Sequence, residues 1–353
     1  SLTIGKALQI ISLYKNDHNI VGNLTISDLL PNAKVRLTNV SVTGKVQINS
    51  SSVDIVRCDF HEVNATNPTG ADTQLTVVQS NISDRLSSTL ARSWIGYSNL
   101  RENYFEGLVE FVGNDVNGSN LGGIGLDLFG EQTVVNIYNN LIHDFTANVS
   151  SESCIGIRID GNATAKIINN SIVDNNNLLY LANNSWQTGL GILIKSTKST
   201  TITANVFDNN TALYGSGGTN IGSMHIYSHS QNVSIRYNAF QNNEWFVAEV
   251  KPLGIFGVSA YDSIVESSLN ETEFLASTTS MAQGKASSDK GPPDTIHFDH
   301  DGSRNDIGPN GGHNFIPNGR TTDKPIPITF DLSLPAVPIG GTISMESSGI
   351  ILK

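Results

Sequence analysis

The chain has 353 residues, a formal net charge of −11 and a charged fraction of only 15%. An acidic chain with no basic cluster is a poor partner for nucleic acid, and no apolar run approaches the length of a membrane span. Asn, Ser, Thr and Gly are abundant, the polar but weakly charged surface expected of an extracellular or cell-surface protein.

Residues 1–50 are short apolar runs separated by Asn, Gly and Asp. They predict strands, with no amphipathic helix ahead of them to cover the open strand edges. Either more chain precedes them or another subunit covers that end. Residues 51–120 carry the first copies of a motif that residues 121–275 repeat. In it an apolar residue stands three positions before an Asn, and a large apolar residue two positions after it. The clean copies are Ile137/Asn140/Ile142, Ile167/Asn170/Ile172, Ile202/Asn205/Phe207 and Ile235/Asn238/Phe240. Leu100/Asn103/Phe105 reads as a fifth copy, and Ile55/Cys58/Phe60 as a sixth with Cys in the Asn slot. From Asn103 onward the steps are 37, 30, 35 and 33 residues. A fixed motif at uneven spacing implies one structural unit per repeat, with the variation in loops.

Upstream of each Asn lies an alternating run: 125–128, 156–159, 191–194 and 222–226. Such runs are strands with one buried face, and no sustained helical period occurs. The fold class is therefore all-β: a right-handed parallel β-helix over 1–275, with Asn103, Asn140, Asn170, Asn205 and Asn238 stacked as a ladder. The Asn slot suits a residue that tolerates the left-handed backbone region and bonds neighbouring backbone. Cys58 and Cys154 lie about three coils apart, which predicts two free, buried thiols.

These h-x-I-x-x-N-x-h-x-x-N coils resemble the repeats of pectate-lyase-like β-helix proteins over residues 30 to 260. The resemblance implies the fold and says little about activity, since this scaffold serves lyases, hydrolases, esterases and non-enzymatic surface proteins. The R-x-P-x-x-R of pectate lyases and the carboxylate trio with G-H-G of polygalacturonases are missing. The stretch Asp299-His300-Asp301-Gly302-Ser303-Arg304-Asn305-Asp306 with Gly311-Gly312 is similar to the closing segment of many bacterial and archaeal surface β-helix proteins. It implies a cap over 276–320. Residues 321–353 read as a Pro-containing linker and a β-strand tail too short for a core of its own.

Three candidate sites follow. The outward residues of the alternating runs place Asp127, Arg158, Leu193 and His225 in one exposed row, with Asp160, Lys195 and Tyr227 two residues on. Arg158, Lys195 and His225 could supply the base and cation of a polysaccharide lyase, or simply a solvated face with cross-strand charge pairs. Asp299, Asp301, Asn305 and Asp306 offer oxygens at calcium-loop spacing, although Arg304 could instead pair within that loop; no other cofactor is expected. Tyr180, Trp186, Tyr214 and Trp245 recur in one loop slot, where they could stack on sugar rings. His61, His143, His229, His297 and His313 fall at no metal-ligand spacing and read as surface residues. The leading expectation is a structural or adhesive subunit of a surface layer, sheath or filament, self-associating through helix ends and tail strands. A polysaccharide lyase or hydrolase on the exposed sheet face is the first alternative, and a glycan-binding adhesin the second.

Overall fold

The computed structural model describes residues 2–11, 18–27, 33–67, 70, 72–147, 154–177, 190–196, 198–214, 220–228, 233–241, 246–250, 255–256, 264–265, 289–332 and 345–350. Short alternating runs cannot satisfy their own backbone groups, so each pairs with the equivalent run one turn later. The chain thereby winds into a right-handed parallel β-helix, the architecture of pectate-lyase-like proteins, with the hand expected for parallel crossovers. One sheet has ten strands, from Leu8–Ile11 to Val233–Arg236, all paired in parallel. After it the chain turns a corner into a second face, bends, and continues into a third.

The register builds the core. Ile10, Leu37, Ile55, Val77, Ile95, Phe111, Ile137, Ile167, Ile202 and Ile235 stand opposite one another down the ten-stranded sheet. All but Ile10 are buried, in one continuous cluster with the inward residues of the other faces. Each such side chain contributes about 1.5–3 kcal/mol by leaving water. Both cysteines are buried within it, and neither is in a disulfide among the described residues.

At the corner after the ten-stranded sheet runs a hydrogen-bonded column. Cys58 N donates to Ser80 Oγ (3.1 Å), Ser80 N to Ser98 Oγ (3.1 Å) and Ser98 N to Asn114 Oδ1 (3.0 Å). The column continues from Asn114 N to Asn140 Oδ1 (2.8 Å), then by 2.9 Å bonds to Asn170, Asn205 and Asn238. Asn103 is not in it. It lies inside the strand Asn99–Phe105, opposite Leu86 and Leu126, and Asn114 takes the place the repeat spacing assigned to it. The left-handed turn is also displaced by one residue from the expected slot. Asn39, Arg57, Gln79, Tyr97, Asn139, Asn169, Ala204 and Tyr237 adopt φ between 48° and 58°, each immediately before a corner residue.

Those left-handed residues anchor a strap. Residues 289–326, which include the described part of the expected closing segment 276–320, run along the flank of the solenoid from the later coils back to the early ones; residues 276–288 lie outside the described residues. Arg304 lies 5.9 Å over the Tyr237 ring, and Gly308 N donates to Ala204 O (2.8 Å). Asn169 Nδ2 donates to Asp306 O (2.6 Å) and Gly308 O (3.1 Å), and Asn139 Nδ2 to Pro309 O (2.9 Å) and Gly311 O (2.7 Å). A side chain at Gly311 would collide with Asp306 O and Asn169 Nδ2, so the strap can lie this close only with glycine there. Further on, Gln79 Nε2 donates to Gly319 O (2.7 Å), and Arg57 pairs with Asp323. Under the strap, Ile316 and Ile326 cover Val56, Val78, Trp94, Tyr97 and Val112.

Beyond the strap, Ile326–Leu332 and Met345–Ile350 pair with each other as an antiparallel hairpin. The tail strands therefore have a partner inside the chain. Among the described residues no helix is long and apolar enough to cross a membrane.

Candidate functional site

The third face carries an outward row in register: Gln47, Asn64, Ser87, Tyr104, Asp127 and Arg158. Leu193, expected to be exposed in this row, follows Arg158 but is buried, and the backbone of Tyr227 comes next in register. Its early part is an amide and hydroxyl chain, with Ser87 Oγ donating to Asn64 Oδ1 (2.9 Å) and Asn64 Nδ2 to Gln47 Oε1 (3.1 Å). Its middle opens into a cleft of about 370 Å³ lined by Arg85, Glu102, Asn103, Tyr104, Gly122, Gly123, Ile124, Asp127 and Arg158.

An irregularity in strand pairing makes this recess. Asn99 and Leu100 pair with Asp115 and Val116, but Asn103 pairs with Leu126. Of the extra residues between Val116 and Leu126, Gly122, Gly123 and Ile124 wall the cleft. On the other side the register shifts between Ile82 and Arg85, a bulge of the kind that re-aims side chains beside binding sites. Gly123, at φ +151°, gives the Glu102 carboxyl its room, since a Cβ there would lie 2.5 Å from Glu102 Oε1.

The electrostatics are uneven. Arg158 grips Asp127 with both ends of the fork, Nε to Oδ1 at 2.8 Å and Nη2 to Oδ2 at 2.5 Å. Those bonds hold the guanidinium protonated and fix its plane. Burial pushes the Glu102 carboxyl above the usual carboxylate range, against the opposing pull of Arg101 and Arg85. Burial likewise raises the Tyr104 phenol, reinforced by its 2.7 Å hydrogen bond to Glu106 Oε1. Asn103 is buried, donates to Gly125 O (2.8 Å), and has no partner for Oδ1 among the described residues.

Two of the sequence candidates, Asp127 and Arg158, thus line one cleft. Lys195 follows the strand Leu190–Ile194 and lies outside the cleft lining. His225 is out of register with them: Leu193 pairs with Tyr227, so Tyr227 takes the row position assigned to His225, whose side chain lies outside the described residues. Tyr180, Trp186 and Trp245 also lie outside the described residues, and of Tyr214 only the backbone is described, in the strand Thr211–Tyr214. The aspartates of the strap do not converge. Asp299 accepts the backbone N–H groups of Gly312 and Asp306, Asp301 accepts from Ser303, and Asp306 accepts from Asp289 N (2.8 Å). Asn305 is spent on Asn169 and His297 O. Among the described residues no group of three or more His, Cys, Asp or Glu could hold a metal ion. The carboxylates build the strap's turns.

His143 is not a surface residue. It is buried between two carboxylates, Nε2 on Asp115 Oδ1 (2.9 Å) and Nδ1 on Asp144 Oδ2 (2.7 Å). Arg320 of the strap completes this network through Asp115 Oδ2 (2.8 Å) and Gly113 O (3.1 Å).

No family model matches the chain, and no curated protein matches it. Two solved structures resemble it. The periplasmic alginate epimerase AlgG is 13% identical, with 74% of this chain and 72% of that chain covered and a TM-score of 0.44. A mutant of the same enzyme is 12% identical over the same shares, with a TM-score of 0.41. The fold assignment stands on the strand register described above.

Proposed function

We propose that the protein processes an acidic polysaccharide in the cleft of the third face, by proton transfer at a uronate residue. The observation that carries this reading is Glu102: a half-buried carboxyl with a raised proton affinity, in a cleft whose walls hold two arginines. Burial moves this carboxyl in the direction that general acid or base catalysis needs. Arg158, oriented by Asp127, suits the sugar carboxylate, whose neutralisation makes the neighbouring ring proton removable. Tyr104 keeps its proton and could pass it to a leaving glycosidic oxygen.

The test is incubation with acidic polysaccharides, read by ultraviolet absorbance of unsaturated uronates, by release of reducing ends, and by NMR for a change of sugar configuration. Activity that disappears in Glu102→Gln supports the reading; no product by any of the three overturns it. The expectation of a polymerising surface subunit rested partly on tail strands without a partner, and those strands pair with each other. A location outside the cytoplasm fits the polysaccharide reading and belongs to the same proposal.

A further inference from the structure

On the outer side of the ten-stranded sheet, Trp94, Glu110, Asn136 and Lys166 follow one another in register on successive strands. Neighbouring strands lie about 4.8 Å apart, so Asn136 stands in the row between Glu110 and the exposed Lys166. Asn136 Nδ2 donates to Glu110 Oε1 at 2.8 Å. The Lys166 ammonium is close enough to act on the Glu110 carboxyl, which burial otherwise raises. Trp94 is buried, and Tyr138, which shares the strand of Asn136, has its phenol pushed up to about 12 by burial and by the Glu110 charge. Lys34 and Lys45, elsewhere on the solenoid, are paired with Asp54 and Glu62 at 2.7 Å. Lys166 forms no ion pair among the described residues, and its neighbour in the row is an amide.

We infer that Lys166 and Asn136 become joined by an intramolecular isopeptide bond, with Glu110 as the catalytic proton shuttle. Lys166 gives a proton to the Glu110 carboxylate and attacks Cγ of Asn136 as the free amine. The Nζ–Cγ bond forms, and Glu110 passes the proton it holds to Nδ2, so the Cγ–Nδ2 bond breaks and ammonia leaves. Glu110 then takes the second Nζ proton and releases it to solvent. No oxidant, cofactor or second substrate is needed, and the register holds the reacting groups at the high effective concentration of an intramolecular reaction. The product ties two successive coils covalently.

The test is the intact mass of the purified full-length chain, followed by peptide mapping. The expected result is a chain lighter by one ammonia, with a branched peptide joining positions 136 and 166. Lys166→Arg and Glu110→Ala should restore the mass calculated from their sequences. A wild-type chain at its full calculated mass overturns the inference. So does an ammonia loss that maps to cyclisation of another asparagine.

Discussion

Asn140 and Asn170 are bonded twice across one coil step: Asn170 Oδ1 accepts both the backbone N–H and the side-chain Nδ2–H of Asn140, each at 2.9 Å. Asn170 Nδ2 in turn serves the carbonyls of Ile137 and Ile168 (2.9 and 3.1 Å). All of this is buried, so removing one member strands several groups without water. Asn170→Ala should destabilise the protein by about 3 kcal/mol or more, because each unsatisfied buried polar group costs about 1–3 kcal/mol. Chemical denaturation of the pure variant measures it, and a loss below 1 kcal/mol (about one ordinary hydrogen bond) would show that the column is ornamental.

The same column shows what could be read from sequence. The late coils announced themselves because Asn recurs there at a fixed offset from Ile. The early ones did not, because the slot holds Ser80 and Ser98, whose hydroxyls make the same bond at shorter reach. With Ser allowed, Val77/Ser80/Ile82 and Ile95/Ser98/Leu100 fit the pattern, and Phe111/Asn114/Val116 fits it with Asn in the slot. Leu100/Asn103/Phe105 fits it by coincidence, and accepting it turned a strand into a corner. That error hid the cleft, since Glu102 and Tyr104 are outward strand residues only when 99–105 is read as a strand. The strap was harder to see: its contacts join positions far apart in the chain, such as Asn169 with Asn305 and Asp115 with Arg320, and no local pattern encodes them.

Arg320 ties the strap to the coils through Asp115 and Gly113 O. Arg320→Met keeps the length and removes the charge, leaving Asp115 with His143 alone. We expect a loss of about 2 kcal/mol, below the range for fully buried pairs because both side chains keep some contact with water. Limited proteolysis should then cut within 289–326 before it cuts the coils.

His143 sets a pH dependence. Burial lowers its proton affinity, but the hydrogen bonds and charges of Asp115 and Asp144 outweigh this and raise it above the ordinary value of 6.5. With the folded pKa above the unfolded one, its stabilising share is complete below about 6.5 and fades as pH rises through the folded value. Asp115 behaves oppositely. Burial raises it, yet His143 and Arg320 bring it below 3.8, so its share is present above that pH and lost on acidification. Melting temperature followed from neutral to mildly alkaline pH should fall more steeply in the wild type than in His143→Gln. Parallel curves would remove His143 from the account.

Asp127 orients Arg158 through two hydrogen bonds. If the cleft processes uronates, Asp127→Asn should weaken substrate binding more than turnover, raising KM about tenfold, the effect of about 1.4 kcal/mol. Glu102→Gln should instead lower kcat by about a hundredfold or more while KM changes little. Steady-state kinetics on a responsive polysaccharide separates the two.

The strap also fixes the order of events during biosynthesis. Coils up to Gln241 can wind one upon another as they leave the ribosome, each templated by its predecessor. Val56, Val78 and Val112 nevertheless stay bare along one seam until residues 307–326 arrive. A nascent chain of this protein is therefore a rod with an adhesive stripe, and its survival to that moment depends on whatever shields the stripe in the interval.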